Sequence, residues 1–427
     1  MTAVVISFAL FLILGMPVAF VIGISGFLYF LVTPDVPITI AVQRCLATTQ
    51  SFTMLAIPLF IFAGHLMNHT GITKRMVKLS DVLTGHMYGN IAQISCVLST
   101  LMGGVSGSAV ADAAMESRVL GPDMIRRGYS RGWGAAINGL SSIITSTIPP
   151  SMGLIIYGSV GEVSIGRLFA GGILPGFMMM AALMIAVSIS ARRRGYMPAR
   201  QNPPTVGEVL RAFVDCIWAL LFPIILIVGI RFGVFTPSEA GAFAAVYALF
   251  VGAVIHRELT WNKFKTAVYD TGVDIGAVML IIAFAGIFGF GIVYDRLPQS
   301  LAGFLISVTT DPYMMFFLII VFLVIAGMFM ETTVITLLMT PILLPVVTKV
   351  GIDPVHFGLV MMSTVQLGIM SPPVGVALYT VSGIMEVSPS ETTREAIPFF
   401  MAIIAVIVIM VFCPGLVLWI PNMVFGS

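Results

Sequence analysis

The stretches Ile148-Pro149-Pro150-Ser151-Met152-Gly153 and Ser371-Pro372-Pro373-Val374-Gly375 decide how this chain folds. A Pro-Pro pair removes two N–H donors from a helix and frees carbonyls in the preceding turn. Water serves such groups in a soluble protein, but in a bilayer only protein, enclosed water or an ion can. The setting here is a bilayer. Of 427 residues, 58% are apolar and only 9% charged, with a mean hydropathy of +1.06. Apolar runs of roughly 20 residues, enough for about 30 Å of hydrocarbon, recur along the whole length. Each pair therefore marks a spanning helix broken near its middle, where transporters bind ions and substrate. A lone proline would read as a packed kink; two symmetric Pro-Pro breaks favour a site.

Outward from the two pairs the sequence repeats. Tyr157, Glu162-Val163-Ser164 and Pro175 follow the first pair, and Tyr379, Glu386-Val387-Ser388 and Pro398 follow the second at near-identical spacing. Upstream of each pair lies a hairpin, with Ser106-Gly107-Ser108 at the middle of the first and Glu331-Thr332-Thr333 at the middle of the second. Basic clusters at Lys74, Arg75 and Lys78, at Arg118 to Arg131, at Arg192 to Arg194 and at Arg257 to Lys265 are cytoplasmic by the positive-inside rule. The first hairpin then opens to the cytoplasm and the second, from Asp311-Pro312 to Asp353-Pro354, to the opposite side. Both are re-entrant, and the repeats are inverted. Inversion requires an odd number of crossings per half, which holds if residues 3–32 form two segments broken at Gly15-Met16-Pro17.

The expected fold is an all-α integral membrane transporter with two discontinuous helices. Residues 1–86 are the first scaffold and arm region, and 87–190 the first hairpin, broken helix and following span. Residues 191–212 form a cytoplasmic linker, 213–310 the second scaffold and arm region, and 311–427 the second hairpin, broken helix and last span. Residues 213–231 and 399–416 read as plain lipid-exposed spans. Ile72, Met76, Leu79 and Leu83 share a helical face opposite Lys74, Arg75 and Lys78; Leu297, Leu301 and Leu305 hold the matching place in the second half. Residues 36–50 and 258–270 form another amphipathic pair, the latter aligning Trp261, Phe264 and Val268. These are interfacial helices, either ordinary loop elements or arms bracing a moving domain.

Sodium is a hard cation that hydroxyl and carbonyl oxygens can hold without a carboxylate. Ser106 and Ser108 at the first tip can face Ser141, Thr145 and Thr147 on the approach to Pro149. Thr332 and Thr333 at the second tip can face Thr364, Gly368 and Met370 on the approach to Pro372. Ser141 and Thr364 each lie eight residues before the first proline of their pair. Two sodium sites are expected. Small residues at the first tip also suit close helix packing. Among polar groups inside the membrane, Asp112, Asn138 and Glu331 stand out, though Asp112 could instead cap a helix or pair with Arg118. The cysteines Cys45, Cys96, Cys216 and Cys413 lack CxxC spacing and read as packing residues. The first apolar run begins almost at Met1 with no basic n-region and no small-residue cleavage site, and reads as mature structure. No HExxH, GxSxG or Walker pattern supports an enzyme, and no nucleic-acid partner is expected.

These stretches resemble the large membrane subunit of tripartite ATP-independent periplasmic (TRAP) transporters, the DctM-like proteins. The resemblance rests on residues 103–112, with Gly103-Gly104 and Ser106-Gly107-Ser108, on Ser146 to Ser151, on Leu168 to Gly176 and on Ser371 to Gly375. Within the family the sequence looks most like the sialic-acid branch. The resemblance implies a scaffold and a transport domain that moves like an elevator. It implies sodium-coupled import of a carboxylate across a bacterial inner membrane, the substrate being delivered by a periplasmic binding protein. A small four-helix membrane subunit, expected as a separate polypeptide, is the other partner. By similarity, Ser106, Ser108 and Ser151 fall in the substrate or ion neighbourhood. Two rivals stay open: a sodium/divalent-anion symporter without a binding protein, and a channel. The Ser-Asn-Thr tips of the former are absent, and two closed hairpins without a charged ring argue poorly for the latter.

Overall fold

The computed structural model describes residues 2–50, 52–309 and 311–426. The first break is where the chain demands it. Helix α8 (Arg131–Thr147) stops because Ile148 precedes a proline and is extended, and α9 (Met152–Gly161) restarts behind the Ser151 cap, bent by 44°. In the second half α18 (Pro354–Ile369) stops before Pro372 and α19 (Val376–Ile384) restarts after Gly375, whose φ of +47° favours glycine.

Around these breaks the order of elements repeats. In the first half α4 (Ala56–His69) and α5 (Ile72–Thr84) lead to α6 (Asn90–Gly103), α7 (Ala109–Arg126), the broken α8 and α9, and α10 (Ile165–Arg194). In the second, α14 (Trp261–Tyr294) and α15 (Leu297–Val308) lead to α16 (Pro312–Phe329), α17 (Thr332–Lys349), α18, α19 and α20 (Pro389–Phe412). The duplication extends to backbone detail. Glu162 and Glu386 both take positive φ at the ends of α9 and α19, and Ser164 and Ser388 both cap the following helix. Six helices are long and apolar enough to cross a bilayer among the described residues, and two bent pairs could add two spans.

The first segment divides as expected into α1 (Thr2–Ile13) and α2 (Val18–Val32). Twelve residues give about 18 Å, so α1 by itself is short of a full crossing. Three expectations need correction. The span at 213–231 begins only at Ile217 in α12 (Ile217–Arg231), because a Thr205–Glu208 capping box starts α11 (Val206–Asp215), which bends by 63° into it at Cys216. Residues 399–416 are not one lipid-exposed span. Helix α20 ends at Phe412, Pro414 starts α21 (Pro414–Phe425), and Phe399, Ile403 and Met410 are buried, with Phe399 against Trp133. Residues 258–270 are not a separate arm; they run unbroken into the 34-residue α14, about 51 Å long. In the first half a 3-10 turn at Phe52–Leu55 does separate α3 (Thr39–Thr49) from α4.

Helix α5 buries Ile72, Met76 and Leu79 against α6 and keeps its basic face outward. Helix α15 rests on α17 with Leu297 and Leu301 against the core; the side chain of Leu305 lies outside the described residues. Helix α13 (Pro237–Phe250) packs on α4, and α14 packs on α2, α3 and α4. A second group gathers around α8 and α18, where α7 packs on α8, α16 on α18, α17 on α9 and α19 on α7. Cys96 and Cys216 are packing residues as expected, whereas Cys413 is exposed at the break between α20 and α21.

Candidate transport site

The turn after α6 reaches the first break directly. A Cβ added at Gly107, which has φ +64°, would lie 2.6 Å from the Pro150 carbonyl, so only glycine lets the tip approach that closely. The second turn is tied to its break by a hydrogen bond of 2.8 Å from the Gly375 amide to the Met328 carbonyl. Just beyond, α16 and α18 cross at Gly327 and Gly368. A Cβ on Gly368 would stand 2.6 Å from the Gly327 Cα.

Between the two tips lies a narrow pocket bordered by Gly107, Ser108, Glu331, Thr332, Thr333 and Gln366. It adjoins a cavity of about 410 Å³ that shares Ser108, Met152, Glu331 and Thr333 and is lined on its far side by α4 and α14. His65 on α4 and Asp274 on α14 line that wall and hydrogen-bond to each other at 2.8 Å. Helices α7, α9 and α17 all begin at this space, behind Ser108, Ser151 and Glu331. Their remaining free N–H groups and dipoles face a space whose lining also carries the carboxylates of Glu331 and Asp274.

The expected site residues divide. Ser108 caps α7 and Ser151 caps α9, each hydroxyl accepting from a helix amide, while the Ser106 hydroxyl sits under the Ser108 amide at 3.4 Å. Thr145 donates to the Ser99 carbonyl and lies with Ser106 beside Asp112. Asp112 is buried, its Oδ2 has no partner among the described residues, and Arg118 is exposed, so the alternative in which Asp112 pairs with Arg118 is not formed. Ser141 is a step deeper, bonded to Ser95 and Glu116. Thr147 turns away, donating to Ile143 and touching Met179 on α10. At the second tip Thr333 donates to Glu331 at 3.0 Å, and Thr332 lines the pocket. Thr364 faces the apolar groove between α16 and α20 and bonds its own helix at Val360; Gly368 forms the helix crossing, and Met370 packs on Gly139. The face of α18 turned to the tips carries Met362, Gln366 and Ile369 instead.

Residues 5–416 match the family model described as tripartite ATP-independent periplasmic transporter, DctM component. This chain belongs to the DctM family. It is therefore a transporter permease subunit and not an enzyme. Within the DctM family it is 34% identical over 412 residues to the sialic acid TRAP transporter large permease protein SiaM of Vibrio cholerae, covering 96% of each chain. It is 35% identical over 405 residues to the 2,3-diketo-L-gulonate large permease YiaN of Escherichia coli, covering 95% of each. It is 30% identical over 423 residues to the C4-dicarboxylate large permease DctM of Rhodobacter capsulatus, covering 96% of each. Among solved structures, the YdaH transporter of Alcanivorax borkumensis aligns over 88% of this chain and 87% of its own, with a TM-score of 0.61 at 11% identity, a likeness of fold alone. Large permeases of this family work with a small membrane subunit and a periplasmic binding protein.

Two buried groups of this DctM-family chain were not anticipated. Glu116 accepts from Ser95 at 2.5 Å, Ser99 at 2.6 Å and Ser141 at 2.9 Å, so the Ser141 neighbourhood contains a carboxylate. Asn138 joins that cluster through Ser95 at 3.0 Å. Gln366 is fully buried, and neither of its amide atoms has a protein partner among the described residues. The pattern Ser95, Ser99 with Asp112, Glu116, each pair four apart, was the available signal for the first: two helices each presenting a polar stripe.

Proposed function

We propose that this chain is the permease of a sodium-coupled importer that moves a carboxylate, sialic acid or a C4-dicarboxylate-like acid, across the bacterial inner membrane. A periplasmic binding protein delivers the substrate and a small four-helix membrane subunit holds the scaffold. One observation carries the proposal. Both tips and helix residues next to both breaks border one space whose far wall belongs to a different group of helices, α4 and α14. Such a space can be carried across the membrane if the hairpins, α8 to α10 and α16 to α20 move as a body against that wall. On this reading the two hairpins are re-entrant and the halves inverted, with transport regions at 87–190 and 311–427 and scaffold regions at 1–86 and 213–310.

Sodium near Ser106, Ser108, Ser141 and Thr145 at the first tip, and near Thr332 and Thr333 at the second, would couple the ion gradient to that movement; Thr147, Thr364, Gly368 and Met370 are turned to other contacts. The positions of Ser106, Thr145 and Asp112 around one point favour the first of these sets, because a carboxylate oxygen without a partner suits a cation. Ser106, Ser108 and Ser151 then meet the substrate. The relatives' names supply the substrate range: sialic acid for SiaM, a C4-dicarboxylate for DctM. The test is uptake into vesicles holding this chain and its small subunit. Uptake is expected only with an inward sodium gradient and the soluble binding protein together. Uptake without the binding protein would favour a divalent-anion symporter, and ohmic conductance a channel.

A further inference from the structure

We propose that Arg44 marks an entry site for the substrate carboxylate, in a second cavity on the outer side of the tips, between the fixed wall and the moving group. The proposal deepens the reading of this chain as a carboxylate importer and rests on it.

This cavity holds about 340 Å³ and is bordered by Arg44 and Thr48 on α3, Phe290 and Tyr294 on α14, Val160 on α9 and Leu337 on α17. Helix α14 lines both cavities. Asp274 borders the one already described and Phe290 borders this one, about 24 Å further along the helix. Lys263 and Lys265 put the start of α14 at the cytoplasmic face by the positive-inside rule, so the second cavity lies toward the periplasm. Leu337 stands about 8 Å along α17 from Thr332 at the tip. An outward slide of the hairpins by that distance or somewhat more therefore brings the second tip level with Arg44.

Arg44 is exposed and forms no ion pair among the described residues. Its guanidinium lies 5.1 Å from the centroid of the Phe290 ring, and that ring stacks on Phe30 of α2 at 5.6 Å. The cation is thus held in place without being neutralised. Asp295, at the end of α14, accepts from Tyr29 at 2.7 Å. Among the described residues, Arg44 is the only Lys or Arg that lines either cavity or the pocket between the tips. A guanidinium gives a carboxylate two parallel N–H bonds, and the Tyr294 hydroxyl can donate a third. On the cytoplasmic side the same wall presents the His65–Asp274 pair, so it draws an anion at the outer cavity and not at the inner one. The sodium gradient sets the direction of transport; Arg44 speeds capture by concentrating the anion where the tips arrive. A lipid phosphate is an oxyanion of the same kind. Val160 and Leu337, which belong to the moving group, put the cavity on the substrate's path and commit the proposal to the substrate.

The first test is modification of Arg44 by phenylglyoxal in the purified full-length chain, followed by mass spectrometry. In non-ionic detergent, N-acetylneuraminate or succinate is expected to slow the reaction at Arg44 about threefold or more relative to chloride at equal ionic strength, and uncharged glycerol to leave it unchanged. No slowing by either acid overturns the proposal. Slowing by phosphatidylglycerol in mixed micelles, with none by the acids, assigns Arg44 to a lipid headgroup and overturns it too. The second test is uptake of the two acids into vesicles holding the chain and its small subunit. Arg44→Gln is expected to raise the half-saturating concentration of acid-loaded binding protein about fivefold or more at an unchanged maximal rate, and Arg44→Lys to raise it less than half as much. A docking contact with the binding protein would move that value as well, so the proposal requires the labelling result alongside it. An unchanged value in Arg44→Gln overturns the entry site while leaving carboxylate transport standing. If wild type takes up neither acid, both readings fall.

Discussion

Glu116 sits fully buried between α6, α7 and α8 and is met by three serine hydroxyls, with no ion pair to it among the described residues. Ser95 and Ser141 also reach Asn138 oxygens, at 3.0 and 3.2 Å, so truncating the carboxylate strands the Ser99 hydroxyl above all. Leaving a buried polar group unmet costs about 1–3 kcal/mol. Glu116→Ala is accordingly expected to lower the melting temperature in detergent by several degrees, whereas Glu116→Gln, which keeps an acceptor, is expected to lose less than half as much. Equal losses in the two variants would mean that shape and not hydrogen bonding matters there. In the sequence the one signal for this residue was its four-residue spacing from Asp112, matching Ser95 and Ser99, which the nearby Arg118 disguises as a solvated surface. The place of Ser106 at the tip was legible, because a Ser-Gly-Ser sequence inside an apolar run marks a turn. The structure also separates Ser106 from Thr364, which the sequence offers as candidate ligands at the first and second sites. Ser106 lies beside Asp112 at the first tip, while the Thr364 hydroxyl is bonded to Val360 on a face turned to α16 and α20. Ser106→Ala is therefore expected to raise the sodium concentration for half-maximal uptake at least threefold, and Thr364→Val to raise it less. The reverse order would return Thr364 to the centre of the second site.

At the scale of elements the sequence was a good guide wherever backbone chemistry forces the outcome. Both breaks, both tips and the start of nearly every helix follow from Pro, Gly and capping Ser, Thr or Asp, as at Ser130, Asp311 and Asp353. It failed where continuity is a matter of packing. Nothing at residues 268–276 forces a helix to end, so the amphipathic arm and the span of α14 run together, whereas the turn at 52–55 divides their counterparts in the first half. The face that α18 turns to the second tip was also unreadable, since it depends on where α16 crosses. That crossing requires Gly327 and Gly368 to touch backbone to backbone. Gly368→Leu cannot be accommodated without separating α16 from α18 and so moving Gln366 relative to Thr332. A loss of about 3 kcal/mol is expected from such overpacking. Thermal unfolding measures it, and a variant as stable as wild type would show that the two helices can part without loss.

For the whole molecule, the proposed mechanism turns on which helices travel together. Helix α10 packs on α8, α20 and α21 and only lightly on α12, which the proposed division places in the scaffold region that starts at 213. If α10 moves with the hairpins, a covalent link from α10 to α12 must stop transport even though it touches neither the tips nor the cavity. Gly166 at the start of α10 and Ile230 near the end of α12 are suitably placed. A Cβ added at Gly166 would be 3.0 Å from the Ile230 Cγ2, an atom one bond from the Ile230 Cβ, so the two β-carbons come close enough for a disulfide, whose Cβ atoms lie about 3.5–4.5 Å apart, once the nearby Phe425 ring gives way. In a background with Cys45, Cys96, Cys216 and Cys413 replaced by serine or alanine, the pair Gly166→Cys and Ile230→Cys is expected to transport when reduced. Oxidation is expected to abolish uptake, and a thiol reductant to restore it. Uptake that continues at an unchanged rate in the cross-linked protein would place α10 and α12 in one body. The boundary between fixed and moving parts would then have to lie closer to the cavity, between α4 and α14 on one side and the tips on the other.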